Sequence, residues 1–202
     1  MTSYTITPAQ PAAAGTVARR IAKAFCGLEV AEWLVPNDEE LREATLTAQF
    51  RMFVEQAFTY GEVSTALAGR GASVWMYRDQ PLPPIEDYDE RLKVICGPHV
   101  DRFRALDEAF AKHHPDEPHH HLAFLAVEVS VRGGGVGSAL LEHHLRQLDE
   151  DEMPAYLEAS DTRSRELYLR YGFRDHGPRL TLPDRGPVMF PMWRDPEPLA
   201  AV

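Results

Sequence analysis

Apolar residues along the chain recur with two periods, and the period separates helix from strand. Between Thr16 and Phe25 they fall at Val17, Ile21, Ala24 and Phe25, a helical spacing. From Glu39 to Tyr60 the stripe Leu41, Leu46, Phe50, Phe53, Val54 and Phe58 predicts a long helix, with Asn37 and Asp38 ahead of it as N-cap residues. Tyr4 to Ile6 reads as a short opening strand. Val63 to Leu67 and Ala72 to Tyr77 read as a hairpin turned by Ala68-Gly69-Arg70-Gly71. Pro81 to Pro84 stops the second of these strands. Helical patterns return over Tyr88 to Ile95 and His99 to Lys112, before a polar loop from His113 to Pro118. Leu122 to Val129 is apolar apart from Glu128 and predicts a strand buried on both faces. A glycine cluster leads into a helix from Ser138 to Leu148 with Leu140, Leu141, His144, Leu145 and Leu148 inward. Pro154 to Ala159 is a strand, and Ser164 to Tyr171 a short helix ended by Gly172. Strands over Arg179 to Leu182 and Val188 to Trp193 precede a tail, Asp195 to Val202. No linker-like shift divides residues 1–202, so the expectation is one mixed α/β domain.

Charge narrows the function. The 202 residues hold 21 Lys and Arg against 31 Asp and Glu, a formal net charge of −10. That balance lacks the basic footprint of a nucleic-acid or anionic-membrane binder, and it leaves room for a local positive site around an anionic cofactor. No window approaches the ~18 apolar residues of a membrane span. Met1 to Pro11 has neither the basic start nor the apolar stretch of a secretory signal, so the expected compartment is the cytoplasm. Cys26 and Cys96 are accordingly expected as reduced, buried thiols.

The chemistry concentrates between Leu125 and Leu141. A helix start carries unpaired N–H groups with partial positive charge. Glycines in front of it let the backbone turn tightly and approach a ligand. Together they form a nest for phosphate oxygens. A plain strand-to-helix turn needs one or two glycines; four of them beside Arg132 favour an anion. The helix begins Gly137-Ser138-Ala139, without the lysine of a P-loop, and the third small position of a dinucleotide fingerprint falls poorly on Ser138 or Leu140.

Arg132-Gly133-Gly134-Gly135-Val136-Gly137 instead fits Arg/Gln-x-x-Gly-x-Gly behind a strand. This resembles the acetyl-CoA pyrophosphate loop of the GNAT acetyltransferases. Pro154-Ala155-Tyr156-Leu157-Glu158-Ala159-Ser160 is similar to that family's next core strand, and Glu166 to Phe173 to its short helix with Tyr-x-x-x-Gly-Phe. Order and spacing agree over about residues 120 to 175, and more loosely from Tyr4 to Trp193. Within the family the chain is similar in look to the puromycin N-acetyltransferase type. It shares that type's length, its Pro-Ala-aromatic-Leu-Glu strand and its His-Pro-x-Glu-Pro approach, here His114-Pro115-Asp116-Glu117-Pro118. Puromycin is not carried over as acceptor.

The resemblance implies a GNAT fold: a mixed central sheet flanked by helices, splayed between two parallel core strands, Leu122–Val129 and Pro154–Ala159. It implies direct acetyl transfer from acetyl-CoA to an amine of a small molecule, through a ternary complex. The N–H groups of Gly133, Gly134, Gly135, Val136, Gly137 and Ser138 would hold the pyrophosphate, with Arg132 adding charge. The strand edge at Leu125, Ala126 and Val127 would hold the pantetheine arm, and Ser164 stands where the family often has an asparagine contacting it. Tyr168 matches the tyrosine that protonates the CoA sulfur. Glu158 is the candidate base and Glu128 a weaker one. Residues 120–175 would form the donor core, while the N-terminal half and the insertion 81–118 would shape the acceptor side.

No metal is expected. Neighbours among His119, His120 and His121 point to alternate faces of a strand, so the three cannot grip one ion, and no cysteine joins them at zinc spacing. They are expected at the strand entrance. His143 is expected exposed and His144 semi-buried. Of Phe25, Trp33, Phe50, Phe53, Phe58 and Trp75, most belong to the core and a few to an acceptor wall. Monomer and homodimer both stay open, as do three other functions: an acyl-CoA-binding sensor or interaction module, a protein N-acetyltransferase and an O-acetyltransferase.

Overall fold

A computed structural model describes residues 4–198; of the expected tail, Leu199 to Val202 lie outside them, and Asp195 to Pro198 have no regular structure. The strands are β1 (Ile6–Pro8), β2 (Gly61–Ala66), β3 (Gly71–Arg78), β4 (His119–Val127), β5 (Ala155–Ala159), β6 (Arg174–Asp175), β7 (Leu180–Thr181) and β8 (Val188–Arg194). The helices are α1 (Ala14–Phe25), α2 (Glu29–Leu34), α3 (Glu39–Tyr60), α4 (Tyr88–Cys96), α5 (Val100–His113), α6 (Val136–Glu150) and α7 (Thr162–Leu169). Strand order is β1-β2-β3-β4-β5-β8-β6, with β7 on β8. All neighbours are antiparallel except β4 and β5, which run parallel.

Local chemistry explains several elements. Asp38 caps α3, its carboxylate accepting from the Leu41 N–H at 2.8 Å. Leu41 itself is 46% exposed, so the apolar stripe begins one turn later, at Leu46. The six-residue α2 carries no strong sequence signal. The buried Arg42 donates to the carbonyls of Cys26 and Val35 on either side of it and fixes both ends from outside. Helices α1 to α5 contribute to one core, and α6 and α7 to another built against Trp75, Leu157 and Met192. Cys26 and Cys96 are free and buried.

Two irregularities position the site. Strand β4 is not buried on both faces as its composition predicts; six of its nine residues are only half-buried, because one face lines a cleft. The register against β3 pairs Val74 with Phe124 but Trp75 with Leu122, leaving Ala123 as an extra residue, a bulge. A bulge re-aims side chains. His119 and His121 precede it, Phe124 follows it, and all face the α5 side, although strict alternation would put Phe124 opposite. The second irregularity is the gap between the parallel strands. They pair only at His120↔Ala155 and His121↔Tyr156. Beyond that the strands diverge, leaving β4 unpaired on that side from Leu122 to Val127.

Candidate active site

The glycine loop forms the rim of the gap. Gly133 and Gly135 have φ of +81° and +87°, which an L side chain adopts only at a cost. Gly135 is the N-cap of α6, and the first helical bond runs from the Ala139 N–H to its carbonyl at 2.9 Å. The N–H groups of Val136, Gly137 and Ser138 therefore open the helix without intrahelical partners. A Cβ on Gly137 would meet Val127 Cγ2 at 3.3 Å, so glycine there lets the helix start lie close on β4. The side chain of Val136 is buried in the core, so only its backbone faces the loop. Tyr4 donates to the Gly134 carbonyl at 2.6 Å and holds the loop from outside.

Arg132 is committed differently from expectation. Its Nε donates to the Val127 carbonyl at 3.0 Å and its Nη2 to the Ala24 carbonyl at 2.7 Å. The guanidinium thus braces the loop and occupies one acceptor on the β4 edge, leaving Leu125 as the freer position; the backbone of Ala126, expected at this edge, faces Ala72 on β3 instead. Ser164 is engaged too. In a capping box its hydroxyl donates to the Asp161 carbonyl at 3.0 Å and accepts from the Asp161 N–H at 3.2 Å, while Asp161 accepts from the Ser164 N–H. Only one lone pair of that hydroxyl stays free. Glu128 pairs with Arg70 and Ser130 at the surface.

From the loop a cleft of about 1230 Å³ runs through the strand gap. Tyr168 lines it, 8% exposed. Burial first, then Asp161, raises its phenol above the ordinary range, so it holds its proton at neutral pH. Glu158 enters from β5 with a side chain only 5% exposed. Its Oε2 lies 2.9 Å from His121 Nε2, and its Oε1, without a hydrogen-bond partner among the described residues, lies 4.0 Å from His114 Nδ1. His114 is held neutral, its pKa pushed down to about 2 chiefly by burial, then by His121 and Arg78.

His121 joined to Glu158 was not legible as a pair, because it depends on the register between β4 and β5. The ligand atoms of His114, His121 and Glu158 all lie within 4.8 Å of one another, the one such His/Cys/Asp/Glu group among the described residues. That spacing can hold a cation, but the charge of Arg78, which also lines the cleft and acts on both Glu158 and His114, opposes it. His120 is turned to the opposite face, 3.1 Å from His144, which is fully buried rather than semi-buried and lies 3.5 Å from Glu62. Of the six aromatic residues singled out, Phe25, Phe50 and Phe53 line the cleft, joined by Tyr88 and Phe124. Trp75 is core.

A sheet opened between two parallel strands, with a glycine-built helix start at the opening and a buried carboxylate farther in, defines a transferase that works on a phosphate-bearing donor. Comparison gives the family. The acetyltransferase (GNAT) family matches residues 74–173. The structure of histone acetyltransferase HPA2 and related acetyltransferase from Corynebacterium glutamicum is 30% identical over 100% of both chains, with a TM-score of 0.72. The polyamine N-acetyltransferase of Drosophila melanogaster, which forms N-acetylagmatine, is 16% identical with a TM-score of 0.64, over 96% of this chain and 100% of its own. Arylalkylamine N-acetyltransferase 2 of Aedes aegypti is 14% identical with a TM-score of 0.60, over 97% and 100%. The last two share the fold. The chain belongs to the GNAT acetyltransferase family, which implies an acyl-CoA donor. No helix among the described residues is long and apolar enough to cross a membrane.

Proposed function

We propose that the chain acts as one acetyltransferase domain that transfers the acetyl group of acetyl-CoA directly to an amine of a small molecule. The observation that carries this reading is the continuity of one cleft from the glycine loop, past Tyr168, to Glu158 and the aromatic chamber. When bound, acetyl-CoA supplies the acetyl group as an activated thioester. The loop N–H groups hold its diphosphate, and the open edge at Leu125 takes the amide-bearing arm. Glu158 accepts the proton that the amine loses as its nitrogen bonds to the thioester carbonyl carbon. Tyr168 gives a proton to the sulfur as the C–S bond breaks. His121 orients the carboxylate.

Two observations favour a small acceptor over a peptide. The segment 81–118 folds over the cleft, with Leu82, Ile85, Tyr88, Leu106 and Phe110 in its wall, and the rings of Phe25, Phe50, Phe53 and Phe124 stand in the same lining. His114, from the His-Pro-x-Glu-Pro stretch, lies in that same wall. The test is a screen with acetyl-CoA across small amines, antibiotics and peptides, reading products by mass, beside calorimetry with acetyl-CoA. Heat on donor binding and an acetylated small amine are expected. No donor binding by folded protein, or acetylation of peptides alone, contradicts the proposal.

A further inference from the structure

The far end of the cleft contains a polar group that acetyl transfer does not use. On α5, Leu106, Asp107 and Phe110 line the cleft in turn, the spacing of one helix face, and His114 follows as the C-cap. Asp107 accepts from the Tyr88 hydroxyl at 2.8 Å. It has no Lys, Arg or His in ion-pair range among the described residues. Across from it Gln49, 6% exposed and also in the cleft wall, keeps its Oε1 without a hydrogen-bond partner among the described residues. Aromatic rings close the chamber: Phe53 stands 6.0 Å from the Tyr88 ring and 6.3 Å from Phe124. Burial, then nearby Asp89, raise the Asp107 carboxyl to about 6 against the pull of the Tyr88 hydrogen bond, and a cation beside it would favour the ionised form. A half-buried carboxyl and an unpaired amide oxygen walled by aromatic rings lack only a cation.

We propose that Asp107, Gln49 and the surrounding rings form a subsite for a second, positively charged nitrogen of the acceptor, so that the preferred acceptors are diamines. This rests on the acetyl-transfer reading. The span follows from the helix. Asp107 and His113, the last residue of α5, are six residues apart, about 9 Å along the axis, and His114, directly after it, adjoins Glu158, where the reacting amine sits. The two nitrogens are therefore roughly 10 Å apart, the span of an extended seven-carbon diamine.

The test compares 1,7-diaminoheptane with n-octylamine, which have the same length and the same reacting amine, using the full chain and acetyl-CoA. The proposal expects a kcat/KM ratio of at least about tenfold in favour of the diamine, as a charge-assisted contact gives. In Asp107→Asn, which keeps an oxygen for Tyr88, the ratio falls toward one. Acetyl-CoA calorimetry on both proteins shows that they are folded and take the donor. A ratio near one in the natural protein overturns the subsite, as does a ratio unchanged in Asp107→Asn. Acetylation of neither amine by protein that binds acetyl-CoA overturns the subsite while leaving the donor site standing. Loss of donor binding in the natural protein overturns both.

Discussion

Burial decides what Tyr168 can do. A phenol kept protonated by its surroundings cannot act as a base, but it can donate to a departing thiolate. Tyr168→Phe should therefore lower kcat by about 10²-fold, the lower end of general-acid contributions. Affinity for acetyl-CoA should stay within about twofold, because the ring remains in place. Steady-state kinetics beside calorimetry separate the two, and an unchanged kcat would remove the role. At this scale the motif singled out Tyr168 and Glu158, and both line the cleft, since strand and helix positions carry over with the pattern. It could not show how side chains satisfy one another. Arg132 and Ser164 spend their polar atoms on nearby backbone, and His114 meets Glu158 only because the chain after α5 returns to β5.

Among elements, the join between β4 and α6 is the most constrained. Gly135→Ala places a side chain at φ +87°, a strain of ~1–2 kcal/mol, and tilts the helix start that would face the diphosphate. A lower Tm together with a weaker acetyl-CoA Kd is expected, measured by thermal melting and calorimetry; a change in Tm alone would detach the loop from donor binding. Long elements with local signals were legible: α3 spans the predicted Glu39–Tyr60 because Asp38 caps it and its stripe runs for several turns. Elements without a local signal were not. Helix α2 depends on Arg42 for its ends. Strand β6 has two residues and exists through its pairing with β8, whereas β7 lies within the predicted Arg179–Leu182. The bulge at Ala123 was equally invisible, because an extra residue leaves no mark on an apolar run.

Across the whole molecule, the histidines set the response to acid. Burial pushes His114 down to about 2 and His119 and His120 to about 4, from an ordinary 6.5. A base whose folded pKa is depressed stabilises the fold fully above its unfolded value and loses that stability as pH falls. Tm should therefore drop between pH 6.5 and about 4, and His120→Gln should flatten part of that slope in melts across the range. The donor half was readable from its motif. The acceptor half was not, because α1, α3, α4, α5 and β4 each supply one wall and only their packing makes a chamber. One brace joins the halves: Arg132 reaches from the loop to the carbonyl of Ala24, and the next residue, Phe25, walls the chamber. A nucleotide seated in the loop would stiffen that strut and, through it, the room where the second substrate must lodge. Ordered binding, nucleotide before amine, is the outcome expected in product-inhibition kinetics. Cutting the strut with Arg132→Ala should turn ordered product-inhibition patterns into random ones and raise the amine's KM severalfold.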